Sequence, residues 1–293
     1  MSLANLLIVI LSGLTSAAIL FLVSTGIQLV FGALRIVNVA HGSFYMYGAF
    51  IMATILSFMP DAAGWGFWIG LIAVPVVVGL IGALIETTLL RRIYDKEHLA
   101  QLLVTFALFF IMADLARQLW GEQFRTVSVP ALLSGSFAVL GRQFPLYNMF
   151  VIVTAIVAAI ALFALLKLTM FGWRIRAAVN DPELLACTGT NVRRLFSTVF
   201  GLGVGMAGLA GAIVAPMQTV DFGMDANTLV AAFIVSIVGG LGSVAGSAIG
   251  AIIIGLIQAF GVLWFPQWSS AFIFLIMILV LGFRPEGLLG KPS

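Results

Sequence analysis

Charge is scarce in this chain: Asp, Glu, Lys and Arg make up 9% of 293 residues, whereas 62% are hydrophobic. That balance excludes an ordinary soluble domain and fits a protein that lives in lipid. Cysteine occurs once, at Cys187, which excludes a disulfide framework and a cysteine metal cluster. Two histidines are present, His41 and His98, and neither has carboxylates at ligand spacing, so no metal site is expected. A Gly-x4-Gly-Lys-Ser/Thr loop is absent, so the chain cradles no nucleotide phosphates itself. His-Glu-x-x-His, Gly-x-Ser-x-Gly and any Ser/His/Asp set are absent too, so neither catalysis nor a cofactor of its own is expected. No row of arginines crosses an apolar stretch, which excludes a voltage sensor. A net charge of +3 without a basic run gives no reason to expect nucleic acid. The opening MSLANLLIVI has no Lys or Arg before the first apolar run, so that span is expected to be retained, not cleaved.

Long apolar runs are what the chain has in abundance. They fall at residues 5–34, 44–59, 65–90, 99–119, 146–170, 195–217, 229–238, 244–264 and 268–283. A helix rises about 1.5 Å per residue, so about 30 Å of hydrocarbon takes about 20 residues. Run 229–238 is too short alone, but with the following GGLGSVAGSAIG it makes a short helix ending in glycine-rich backbone. These runs predict an all-α polytopic membrane protein of about nine crossings, one short or broken, in a single domain over residues 1–293. The basic residues then orient it. With the N-terminus outside, eleven fall inside: Arg35, Arg91, Arg92, Lys96, Lys167, Arg174, Arg176, Arg193, Arg194, Arg284 and Lys291. Three, Arg117, Arg125 and Arg142, fall outside. The opposite orientation inverts that ratio, so N-out and C-in is expected, with Asp61, Glu122, Asp221 and Asp225 gathered on the outer side. The largest outer loop, of about 25 residues between the fourth and fifth runs, is too small for a receptor domain. Extracellular recognition must be borrowed from another protein.

Residues 171–195 break this apolar pattern. Asp181 is a good N-cap, Pro182 suits the first helical position, and Glu183 places negative charge at the positive end of the helix dipole. Gly189 can take the left-handed conformation that stops a helix. Asn180 through Gly189 therefore predict a helix of roughly two turns in a cytoplasmic loop, exposing Leu184 and Leu185 beside Ala186. Holding such a helix in water gains nothing unless a soluble partner docks there.

Two further stretches carry polar or flexible residues at membrane depth. In GALRIVNVAHGSFYMYGAF, Arg35 reads as interfacial, while Asn38 and His41 either cap and staple helix ends or line a pathway with Gly42, Ser43, Tyr45 and Tyr47. Further on, Gly242, Gly246 and Gly250 recur every four residues and are expected on one helical face. That face, with Gly239, Gly240, Ser243 and Gly255, serves close helix packing or a broken helix whose freed backbone meets a cavity. Glu86 beside Arg91 and Arg92, and Asp114 three residues from Arg117, read as structural pairs ahead of proton carriers.

Taken together, Asn38-Val-Ala-His41-Gly42 running to Tyr47-Gly48-Ala49, Asn180-Asp181 through Ala186 and Gly189 to Asn191, Gly239-Gly-Leu-Gly-Ser243 with Gly246, and Arg284-Pro-Glu-Gly-Leu-Leu-Gly290 resemble a permease subunit of a high-affinity branched-chain amino acid ABC importer of the Liv type. The family pattern has an acidic residue after the His-Gly pair, where this chain has Ser43. Glu183 and Gly189 also resemble the ABC-permease coupling motif, with Leu184 and Leu185 in place of two alanines. The resemblance implies a type II importer-like permease in a bacterial inner membrane. It implies a second homologous permease, two ATPases that bind ATP and Mg, and a periplasmic solute-binding protein docking on residues 128–146 and 217–227. Residues 181–189 would be the coupling helix, and solute would pass near residues 38–47 and 239–247. An ion-coupled secondary transporter and a scaffold half of a permease pair remain as alternatives.

Overall fold

In the computed structural model, which describes residues 3–59 and 64–290, helices dominate. Asp61 and Lys291, both used above to orient the chain, lie outside the described residues. The apolar helices are α1 (Leu3–Leu34), α2 (His41–Phe58), α3 (Trp65–Thr88), α4 (His98–Trp120) and α5 (Leu146–Leu168). Two short polar helices follow, α6 (Met170–Asn180) and α7 (Pro182–Cys187). The chain ends with α8 (Val192–Val214), α9 (Met224–Gly239), α10 (Val244–Trp264) and α11 (Ser269–Phe283). Among the described residues six helices are long and apolar enough to cross a bilayer: α1, α3, α4, α5, α8 and α10. Each of the nine apolar runs coincides with one helix, and α2, α9 and α11 are the shorter or less apolar ones.

Residues 171–195 are more ordered than a loop carrying one helix. Helix α6 continues to Asn180, and α8 already begins at Val192. Thr169 accepts a bond from the Gly172 amide to start α6, and Asn191 accepts one from Arg194 at 3.0 Å to start α8. The connection between α4 and α5 adds one short hairpin to this helical fold. Strands β1 (Ser136–Val139) and β2 (Arg142–Pro145) pair antiparallel around Leu140 and Gly141, both at positive φ (47° and 82°). That two-residue turn matches strand twist, and Phe137 meets Phe144 across the ladder.

Helix α8 is the hub, because its glycines let neighbouring backbones approach. A side chain at Gly203 would strike the Gly26 carbonyl of α1, and one at Gly201 the Gly79 carbonyl of α3. Gly208 and Gly211 receive Val78 and the Tyr45 carbonyl in the same way. Between lipid-embedded helices, close van der Waals contact is the main attraction, so small residues concentrate at the crossings. A second apolar cluster joins Leu29 and Ala33 of α1 to Leu162 of α5, Val199 of α8, and Phe171 and Ile175 of α6. It ties the polar segment to the bundle.

Helix α2 begins deep in this bundle. His41 Nε2 lies 3.1 Å from the Val23 carbonyl oxygen, eleven residues before the end of α1 at Leu34. At about 1.5 Å per residue, α2 starts about 16 Å back along α1. The intervening backbone turns at Arg35, whose φ of 54° is the left-handed value that stops α1. It then runs back through buried Ile36, Asn38 and Ala40. Irregular backbone at this depth is tolerated because protein encloses it.

Candidate functional site

The predicted helix at residues 180–189 forms as its residues dictate. Asp181 Oδ1 accepts the Leu184 amide at 2.9 Å, Pro182 takes the first turn with Glu183, and Gly189 stands at φ 82°. No residue of α7 is buried. Leu184 is 65% exposed, Ala186 and Asn180 are exposed, and Leu185 is half-buried rather than fully presented. Cys187, the single thiol, is exposed on the last turn.

Polar groups collect around the start of α2. His41 is buried and shares a proton on Nε2 with the Val23 carbonyl, which leaves Nδ1 an acceptor. That nitrogen, both amide atoms of Asn38, Ser43 Oγ and Thr25 Oγ1 are buried without a protein hydrogen-bond partner. Asn38 therefore does not cap α2 with its side chain; Ala40 stands at the cap position. His41 does staple α2 to α1. Each unmet buried polar group costs about 1–3 kcal/mol unless something polar meets it. Tyr47 is satisfied, donating to the Met112 carbonyl at 3.0 Å, and buried Gly42 lies against Asp225 and Leu229.

The glycine-rich turn differs from expectation in one respect. Gly242 is not on the α10 face, because α10 starts at Val244 with Ser243 as its N-cap, accepting the Gly246 amide at 3.1 Å. Gly242 sits instead in the α9–α10 turn at φ 83°, exposed, beside Gly32. Close approach occurs between Gly239 and Gly246, and between Gly13 and Gly255. The backbone freed at the end of α9 does not face open space. Gln28 of α1 donates to the Ser236 and Gly240 carbonyls, each at 3.0 Å, and accepts the Gly242 amide at 2.5 Å. The Leu288 and Leu289 amides take the Val238 and Gly239 carbonyls. Gln28 is thus a residue that sequence reasoning passed over, although a lone amide inside an apolar run was the signal for it.

Both acid–base pairs form. Glu86, fully buried, accepts from Arg91 at 2.9 Å, from the Ser197 hydroxyl at 2.5 Å and from the Tyr94 hydroxyl at 2.6 Å. Burial and that carboxylate push the Tyr94 phenol well above its ordinary pKa. Arg92 is not a partner. Asp114 pairs with Arg117 at 2.8 Å on an exposed helix face. Asp225, expected on the outer side, is buried in the first turn of α9, with Oδ2 unpartnered.

A cavity of about 510 Å³ lies among α1, α2, α8, α9 and α10. Of the predicted pathway residues only Tyr45 lines it; Ser16, Asp221, Asn227, Thr228 and Gln258 supply its other main polar groups. Among the described residues no cluster of His, Cys, Asp and Glu is arranged to hold a metal.

The family model described as the permease component of the branched-chain amino acid transport system matches residues 9–281. Among curated relatives, the high-affinity branched-chain amino acid transport system permease protein LivH of Escherichia coli is 26% identical, covering 96% of this chain and 94% of its own. The corresponding protein BraD of Pseudomonas aeruginosa is 26% identical over 97% and 95%. A probable branched-chain amino acid transport permease protein LivH of Methanocaldococcus jannaschii is 28% identical over 93% and 89%. No solved structure matches the chain.

Proposed function

The chain belongs to the family of branched-chain amino acid transport system permease components, and from that premise we propose that it is the membrane subunit of an ATP-driven importer for branched-chain amino acids or related small solutes. It performs no chemistry on its cargo. The observation that carries this reading is α7, a capped helix with no buried residue that holds Leu184 out into solvent. We infer that α7 is the coupling helix, seated in one of two partner ATPases that bind ATP and Mg. A second homologous permease completes the membrane part, and a periplasmic solute-binding protein docks on residues 128–146 and 217–227. The chain forms a single domain in a bacterial inner membrane, N-out and C-in, with about nine crossings; the distribution of basic residues supports that direction.

ATP closes the ATPases, α7 moves with them, and α6 and α8 carry the motion into the bundle through the cluster of Phe171, Ile175, Leu29 and Val199. Solute passes the region of Asn38, His41, Gly42, Ser43, Tyr45 and Tyr47, where buried polar atoms without protein partners can meet water or cargo. Gly239, Gly240, Gly242 and Ser243 shape the adjoining turn. The ion-coupled alternative is not favoured, because Glu86 and Asp114, the carriers it calls for, both pair with arginines. Reconstitution of this chain with its partner permease, ATPases and binding protein in vesicles tests the proposal. ATP-dependent uptake of leucine is expected, and uptake by the chain alone without nucleotide would refute it.

A further inference from the structure

We propose that the cavity between Tyr45 and Asp221 is a binding site for a small solute bearing an ammonium group, with Asp221 as its counter-ion. The proposal rests on the importer reading only for what becomes of the solute afterwards. The cavity, at about 510 Å³, falls in the usual range for small-molecule sites.

Its chemistry is one-sided. Among the described residues Asp221 is the one ionisable carboxylate on the wall, and no Lys, Arg or His lines it. Asp221 Oδ1 is held by the Gly223 amide at 2.6 Å, which fixes the carboxylate and leaves Oδ2 for a ligand. Asp225, one turn away, adds a second acidic group behind the wall, its Oδ2 buried and unpartnered. Two neighbouring cations are engaged elsewhere: Arg117 pairs with Asp114 at 2.8 Å and lies over the Phe222 ring, and the Arg125 guanidinium donates to the Trp120 carbonyl at 3.4 Å. A site walled by low-dielectric helices and carrying one sign of charge concentrates the opposite sign. An anion finds no counter-charge on this wall.

The remaining groups say what the ammonium is attached to. Tyr45 and Thr228 hydrogen-bond each other, which leaves one of their hydroxyls, with the Asn227 and Gln258 amides, to donate to a carboxylate or carbonyl. Ile19, Leu20, Val214 and Met224 offer an apolar wall. An amphipathic solute with an ammonium head, an acceptor group and a short hydrocarbon part satisfies all three. Gln218 and Thr219, both exposed, lie on the solvent side of the cavity.

The test uses the full-length protein in detergent, with Cys187→Ser removing the native thiol and Thr219→Cys placing a reporter at the mouth. Its modification is compared for trimethylammonium-ethyl and sulfonato-ethyl methanethiosulfonate, each normalised to a free thiol. The cationic reagent is expected to react about tenfold faster, and adding Asp221→Asn to bring the two within about twofold. Leucine and 3-methylbutylamine slow the reaction, whereas 4-methylpentanoate does not. Equal rates before Asp221→Asn, or protection by 4-methylpentanoate equal to that by the amine, overturn the site. If the charge preference holds but the assembled complex shows no ATP-driven leucine uptake, the importer reading fails and the site stands. If uptake proceeds and Asp221→Asn changes neither the preference nor the KM for leucine, the site fails and the importer stands.

Discussion

The Glu86 carboxylate and the Ser197 hydroxyl lie 2.5 Å apart although 111 residues separate them in the chain. Arg91 donates to both, so the C-terminal end of α3 is tied to α8 one turn after α8 begins. Truncating Glu86→Ala strands a partly buried guanidinium and should cost about 3 kcal/mol, seen as a lower Tm in detergent. Glu86→Gln keeps part of the network and should lose less. Abolished uptake in Glu86→Gln with an unchanged Tm would instead make Glu86 a proton carrier.

At the other end of that connection stands α7. Replacing Leu184 and Leu185 with Asp puts charge where an apolar cleft would receive leucine. ATP hydrolysis by the assembled complex should lose its response to loaded binding protein, and uptake should fall about 100-fold, with membrane insertion unchanged. Normal uptake by this variant would remove the coupling role.

Gln28 closes the broken end of α9 by three bonds across the α1–α9 crossing. Gln28→Leu keeps the volume but removes the side-chain partner of the Ser236 carbonyl and the Gly242 amide, while the Gly240 carbonyl keeps the Ser243 amide; the loss should cost about 1–3 kcal/mol. A loss of folded yield and a marked fall in Tm are expected. A variant as stable as the parent would show that water replaces the amide without penalty.

Two glycines four residues apart should behave differently. Gly246→Ala drives a methyl into the Gly239 carbonyl and should separate α9 from α10, read out as lost assembly and uptake. Gly242→Ala meets only open space and Gly32, so its cost is the left-handed backbone, about 1 kcal/mol. Equal damage from both would argue that the turn, not the crossing, governs assembly.

Topology is checked by placing Asn180→Cys in a Cys187→Ser background and applying an impermeant thiol reagent. Labelling is expected only when the cytoplasmic face is open to the reagent. Labelling from outside would reverse the orientation.

The apolar runs and the capped helix were legible because each depends on local chemistry. Hydropathy marks spans, and Asp181, Pro182 and Gly189 act within a few residues of themselves. What escaped depends on who meets whom. Gln28 matters through Gly242, 214 residues away, and the glycines of α8 matter through carbonyls on α1, α2 and α3. Spacing alone put Gly242 on a helix, but Ser243 caps α10 one residue too late for that. The hairpin of Ser136–Val139 and Arg142–Pro145 was missed because two four-residue strands in a short loop give little alternation to read.

The depth at which α2 starts has a mechanical corollary. Asn38, Ala40 and Phe44, all buried where α2 starts, make a short packed level instead of a full helix length. Shifting the start of α2 would unpack only a few apolar side chains, at about 1.5–3 kcal/mol each, and would leave the glycine contacts of α8 in place.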